Sequence, residues 1–236
     1  FMGTLNLMEC IKRLKIKRSL IITTDKVYKH NNSINFFKES DQLGGNDPYS
    51  ASKASVEILV NSFAKSFFIS NQDIHIATAR AGNVVGGGDW SKKRLIPDFF
   101  SCLFNNKVLS VRNSTHTRPW QHVLEPLVGY ILLLQSMPFR SKNLNENIAW
   151  NFGPMNKLNL SVKKILEILC KQNKSKRIKI NFSKKSPMFE ENKNLSINTK
   201  RARKFLNFQL KMNIYNTLKL CTDWYNAYNQ SKKSSY

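Results

Sequence analysis

Apolar and polar positions follow two periods along this chain, and the changes of period separate helices from strands. Residues 1–14 (FMGTLNLMECIKRL) space their apolar side chains as an amphipathic helix does, yet no capping residue or lead-in turn precedes them. Residues 18–24 (RSLIITT) are uncharged after the first and rich in β-branched types, the signature of a short buried strand. A polar loop then ends in Gly44-Gly45-Asn46-Asp47-Pro48. A proline just inside a helical pattern is a start signal, and Val56, Leu59, Val60 and Phe63 carry that pattern across residues 49–68.

A second strand is predicted over 74–81. It runs into Gly82-Asn83-Val84-Val85-Gly86-Gly87-Gly88-Asp89-Trp90, whose glycines are expected to let the backbone approach a ligand closely. Further on, the pattern predicts a helix over 95–104, a strand over 107–112 and a strongly apolar helix over 122–137 that should be buried. A strand over 149–152 is broken by Gly153-Pro154 and followed by a helix over 161–171. Residues 177–182 alternate basic and apolar, as in a half-exposed strand. Thr199 is expected to cap a short helix, 213–228 to form the last one, and the tail QSKKSSY to be disordered. There is no internal repeat. Alternating strands and helices predict an α/β fold, a parallel sheet with helices on both faces. The Gly-rich phosphate turn that opens a dinucleotide fold, GxGxxG or GxxGxxG, does not occur before Asp25. With the capless first helix, this leads us to expect that an opening βαβαβ half is missing from the chain, as in a fragment, a split gene or a decayed copy.

Composition narrows the function classes. A chain of 236 residues, 41% hydrophobic, can bury one sizeable core or one and a half smaller ones, and no apolar run approaches a membrane span. No signal sequence is legible, so a cytoplasmic protein is expected. Cys10, Cys102, Cys170 and Cys221 are scattered, as are His30, His75, His116 and His122, so buried thiols in a reducing compartment are expected and a metal site is not. The formal charge of +23 would ordinarily point to nucleic acid or an anionic membrane. Here the lysines are dispersed among many asparagines, and the densest basic stretches, 171–179 and 200–204, read as solvated faces. Neither partner is expected.

The candidate chemistry lies in Tyr49-Ser-Ala-Ser-Lys53 and Thr24-Asp25-Lys26. A Tyr and a Lys four apart share one helix face, where the ammonium stabilises the phenolate and makes the phenol a usable base. Alone, this pattern is equally a solvated helix face. The Thr-Asp-Lys triplet follows the first strand, at the end of an open α/β sheet where ligands bind. Alone, it is equally a strand-end Thr and a surface ion pair.

Together with TTDKVY (23–28), GGNDPYSASK (44–53), RAGNVVGGGDW (80–90), RLIPD (94–98), RPWQHVLEPLVGY (118–130) and WNFGP (150–154), these residues resemble the extended short-chain dehydrogenase/reductase superfamily. Within it they are similar to the sugar-nucleotide 4,6-dehydratases, in the CDP-glucose branch. The Asp-Lys pair favours that branch over the dTDP-glucose dehydratases, which have Asp-Glu. The resemblance implies a truncated Rossmann-like domain over 1–152, with a substrate-loop insertion at about 91–122, and a smaller substrate-binding lobe over 153–236. It implies NAD as cofactor, CDP-glucose as substrate, a homo-oligomer when complete, and a place in deoxysugar biosynthesis such as supplies lipopolysaccharide O-antigen. Residue by residue, Tyr49 would take the proton of the C4 hydroxyl, Lys53 would stabilise its phenolate and hold the nicotinamide ribose, and Thr24 would hydrogen-bond the same hydroxyl. Asp25 would protonate the departing C6 hydroxyl and Lys26 would remove the C5 proton. Val84 would touch the cofactor through its backbone, while Asn83, Arg118 and Asn151 would contact the substrate. An epimerase or reductase of the same superfamily, which has no use for Asp25-Lys26, and a non-catalytic basic binding module are the rival expectations.

Overall fold

The computed structural model describes residues 1–29, 36–68, 73–137, 148–154, 160–173, 177–182 and 195–234. Its centre is a parallel sheet of β1 (Arg18–Ile22), β2 (His75–Ala81) and β7 (Ala149–Phe152), in the order β1-β2-β7, with Ile22 opposite Ala79 and Ala81 opposite Phe152. Parallel neighbours need a crossover, and α2 (Pro48–Phe67) supplies it between β1 and β2. Side chains alternate across a strand, so each face of the sheet receives its own helices. On one face, Ile21 and Ile74 pack with Met8 and Ile11 of α1 (Met2–Leu14) and with Val56, Val60 and Phe63 of α2. On the other, Ala77, Ala79, Trp150 and Phe152 pack against Leu133 of α4 (Leu124–Ser136) and Ala202 and Leu206 of α6 (Lys200–Leu206). The α/β fold with helices on both faces is therefore as the periodicity predicts.

A second core lies beyond the strand ends. Here α3 (Leu95–Phe104), α5 (Val162–Gln172) and α7 (Ile214–Ser234) enclose Phe99, Phe100, Leu166, Leu169, Leu218 and Tyr225. Phe100 and Tyr225 stack at 4.2 Å between ring centroids, the offset geometry that adds to plain burial. Four short strands staple this region: β4 (Leu109–Val111) runs parallel to β9 (Ile180–Phe182), and β5 (Thr117–Arg118) antiparallel to β8 (Leu160–Ser161). A further pair, β3 (Val84–Val85) and β6 (Gln121–His122), joins this region to the sheet. Residues 195–208 return to the sheet, where Leu195 and Ile197 pack on Val27, Tyr28 and Phe37.

Two expectations need correction. Helix α4 is not buried all round: Leu133 and Gly129 face the sheet, whereas Leu124, Leu127, Val128 and Ile131 are exposed on its other side. Its apolar residues cover more than one face, and among the described residues only one face meets a neighbour. The tail is helical through Ser234, the end of α7, and Ser235 and Tyr236 lie outside the described residues.

Candidate functional site

The first strand ends where its hydrogen bonding changes character. Thr23 still donates its backbone N–H to Ala79 O at 2.9 Å, and Thr24 then turns extended, φ −157° and ψ 158°, to cap a 3-10 turn over Asp25–Val27. Thr24 Oγ1 accepts from the Lys26 N–H at 3.4 Å and donates to Asp25 Oδ1 at 3.2 Å. The loop before α2 folds back on this turn: Gly44 N–H donates to Val27 O and Lys29 N–H to Gln42 O, each at 2.8 Å. Gly45 then packs on the first turn of α2, where a Cβ would fall 2.6 Å from the Ser50 carbonyl carbon. Asp47 caps that helix, accepting from Ser50 N–H at 3.0 Å, and Pro48 opens it. The capping loop thus delivers Tyr49 to the same place as Thr24, Asp25 and Lys26.

These four residues line one cleft at the carboxyl end of the sheet. Its volume, about 1420 Å³, exceeds the roughly 300–1000 Å³ of a pocket for one small ligand, so it has room for two ligands side by side. Tyr49 is 52% exposed into it. Lys53 lies one turn further along α2, donating from Nζ to Ile22 O at 3.5 Å, and so sits against the same strand end rather than in the cleft wall. Asn83, Val84 and Arg118 line the cleft beyond the strand ends. Arg118 is held from behind, donating from Nη1 to Thr117 O at 2.8 Å, with Nη2 3.3 Å from His116 Nδ1.

Asp25 is the electrostatic outlier. It is only 3% exposed, and its Oδ2 has no hydrogen-bond partner among the described residues. Burial pushes its carboxyl up to about 6; the nearby Lys26 charge, the Thr24 hydroxyl and the Arg118 charge pull the other way without cancelling it. Asp47 shows the opposite outcome. Burial raises its carboxyl, but the Ser50 hydrogen bonds and the Lys26 charge together outweigh it and hold the group below its usual range. Two carboxylates flanking one lysine are thereby driven apart, one toward carrying a proton and one away from it.

Two sequence expectations shift at this site. Asn151 is fully buried and does not line the cleft; its side chain accepts from Tyr28 Oη at 2.6 Å and donates to Phe37 O and Asn198 O, both at 3.1 Å. A strand residue whose polar atoms are all engaged internally serves the fold. The glycines of the GGGDW loop serve packing as well. Gly87 lies under the Trp224 indole, and Trp90 stacks edge-on to Tyr225 at 5.0 Å, so α7 clamps the loop. At the same end the cleft wall includes His116, Arg112 and Lys93, which the sequence reading passed over. It also passed over Glu57 and Arg80, although a lone arginine inside the strand HIATARA, and a glutamate one helical turn after Lys53, are legible signals of a buried pair.

Known proteins share both the sequence and the fold. The family model described as GDP-mannose 4,6 dehydratase matches residues 1–221. The CDP-glucose 4,6-dehydratase of Salmonella typhimurium is 44% identical over 158 residues, 65% of this chain and 44% of that protein. Among solved structures, dTDP-glucose 4,6-dehydratase from Bacillus anthracis, in complex with NAD, superposes with a TM-score of 0.78 at 20% identity over 95% of this chain and 66% of that one. UDP-glucuronic acid 4-epimerase from Bacillus cereus, in complex with UDP-glucuronic acid and NAD, does so with a TM-score of 0.78 at 22% identity over 96% of this chain and 67% of that one. The chain thus spans less than half of its curated relative from Salmonella. At those identities the solved structures establish the fold, and a family match that runs from the first helix into the last places the chain in the GDP-mannose 4,6 dehydratase family.

Proposed function

We propose that the protein to which this chain belongs is an NAD-dependent sugar-nucleotide 4,6-dehydratase that converts CDP-glucose to CDP-4-keto-6-deoxyglucose. One observation supports this reading above an epimerase: a buried carboxyl, Asp25, displaced to about 6 with an unpartnered oxygen, lines the same cleft as Tyr49 and Lys26. Moving a hydrogen at C4 needs only the phenol and its lysine. Expelling a C6 hydroxyl as water needs an acid able to hold a proton near neutrality. The 44% identity to a CDP-glucose dehydratase supports the nucleotide.

The residues present fit NAD at its reactive end. The cleft has room for a second ligand, and Tyr49 and Lys53 share the α2 face beside the end of β1. Tyr49, Lys53 and the Val84 backbone would hold the nicotinamide side, where bound NAD would supply a reversible hydride acceptor. Tyr49 takes the C4 hydroxyl proton, with Lys53 stabilising the phenolate and Thr24 hydrogen-bonding the same oxygen. The C4 ketone acidifies C5. Lys26 removes the C5 proton, and the electron pair left on C5 forms the C5–C6 double bond as the C6 hydroxyl leaves with the Asp25 proton as water. The hydride taken from C4 would then return from the cofactor to C6 while Lys26 gives its proton back to C5, leaving the 4-keto-6-deoxy sugar. Arg118 and Asn83 hold the nucleotide diphosphate, to which a guanidinium fork donates bidentately.

The same reading makes the protein a cytoplasmic homo-oligomer in deoxysugar biosynthesis. The exposed Leu7 of α1 and Ile58 and Phe67 of α2 provide apolar surface for a second copy to cover. No described helix is long and apolar enough to cross a membrane. The test is incubation of the intact protein with NAD and, separately, CDP-glucose, dTDP-glucose, UDP-glucose and GDP-mannose, with NMR of the products. A 4-keto-6-deoxy sugar from CDP-glucose ahead of the others is expected. Inversion at C4 without loss of water would make the protein an epimerase.

A further inference from the structure

Behind the cleft, a continuous buried hydrogen-bond network joins α2 to both ends of the segment that carries Asp25. Glu57 lies on α2 one turn beyond Lys53 and is 3% exposed. Its carboxylate accepts from the Thr23 hydroxyl, from Thr78 Oγ1 at 2.6 Å and from Arg80 Nη2 at 2.9 Å. Thr23 immediately precedes Thr24. On its other side Arg80 donates from Nη1 to Tyr28 Oη at 3.0 Å and to Glu39 O at 3.2 Å, with its guanidinium carbon 4.9 Å from the Tyr28 ring centroid. Tyr28 immediately follows the turn. Its phenol, kept protonated because burial pushes its pKa up, passes its own hydrogen to Asn151 Oδ1. Donors and acceptors therefore run in one consistent direction, from Arg80 through Tyr28 to Asn151 and on to the Phe37 and Asn198 carbonyls.

We propose that Glu57 and Arg80 are positioning residues: their buried pair fixes the helix bearing Tyr49 and Lys53 relative to the turn bearing Thr24, Asp25 and Lys26. The inference rests on the roles given to those residues above. An ion pair is a poor means of stabilising a core, since well-packed apolar side chains of similar volume commonly do as well. What it adds is direction. Thr23 and Tyr28 are gripped at the two ends of the turn, and the grip leads through one carboxylate to α2, so helix and turn cannot slide independently. Reactions that need several groups aligned on one substrate lose rate steeply with small displacements.

The test uses the intact protein with its native flanking sequence and the variants Glu57→Gln, Glu57→Asp and Thr78→Val. It reads steady-state constants, and amide hydrogen exchange without ligand. Glu57→Gln should lower kcat about 10- to 100-fold and leave KM for the nucleotide sugar within about twofold, because Arg118 and Asn83 sit on other elements. Exchange should quicken more over residues 23–28 than over 76–80, beyond the general rise that the loss of stability brings. Glu57→Asp, which keeps the charge, should recover part of kcat. Thr78→Val removes one donor and should shift both readouts the same way by less; it decides the matter if Glu57→Gln does not fold. A folded Glu57→Gln with kcat within about twofold of the parent would overturn the proposal, as would exchange over 23–28 that quickens no more than the loss of global stability accounts for. If the parent protein turns over no nucleotide sugar, the dehydratase reading fails, while exchange quickened most over 23–28 would still support the clamp.

Discussion

Gly87 lies so close beneath the Trp224 indole that a Cβ there would fall 2.5 Å from Cδ2 and 2.8 Å from Cβ of the tryptophan. The loop over the cleft and the last helix are therefore fitted to each other. Overpacking of this kind costs about 1–3 kcal/mol, so Gly87→Ala should lower stability by that amount in urea denaturation. In a Trp224→Leu background the penalty should fall to about half or less, since the two residues touch and their effects should not add. An equal penalty in both backgrounds would show that the alanine acts elsewhere.

Asp25 makes stability depend on pH in an unusual direction. Its folded-state value of about 6 lies above the ordinary 3.8, so between those values the native state binds more protons than the unfolded state. Its contribution to stability is present below the ordinary value and lost as pH rises through about 6, by about 3 kcal/mol in total. Asp25→Asn should accordingly raise the thermal midpoint at pH 7.5 and change it little at pH 4. Equal shifts at both pH values would mean that the carboxyl is not strained by burial.

The Glu57–Arg80 pair is buried on both sides, with Nη2 to Oε2 at 2.9 Å. Removing one member strands the other, a loss of about 3–5 kcal/mol. Glu57→Gln and Arg80→Met should each cost that much in chemical denaturation. The double variant should cost clearly less than the sum, whereas strict additivity would show that the charges do not interact.

In the intact protein, oxidation and elimination should separate genetically. Tyr49→Phe should abolish the appearance of reduced nicotinamide absorbance with CDP-glucose. Lys26→Met should let that absorbance rise and persist, because loss of a general base typically slows its step by about 100- to 10,000-fold. Product formed by Lys26→Met at the parental rate would remove Lys26 from the mechanism.

What the sequence determined by itself was local and periodic. The uncharged β-branched run RSLIITT, the strand over 74–81 and the helical spacing after Pro48 each follow from side chains a few residues apart, and the elements stand where that spacing puts them. Motif spacing likewise named Thr24, Asp25, Lys26 and Tyr49, since a strand end and a helix start are both visible in one dimension. What only the tertiary structure decided depends on partners far along the chain. Asn151 became a buried anchor because Tyr28, 123 residues away, reaches its carbonyl oxygen. The apolar α4 lies half uncovered because hydrophobicity records which surfaces favour burial, not what lies over them. The displaced carboxyl of Asp25 has the same origin: desolvation is the summed effect of every segment packed around a group, and no window of sequence contains it.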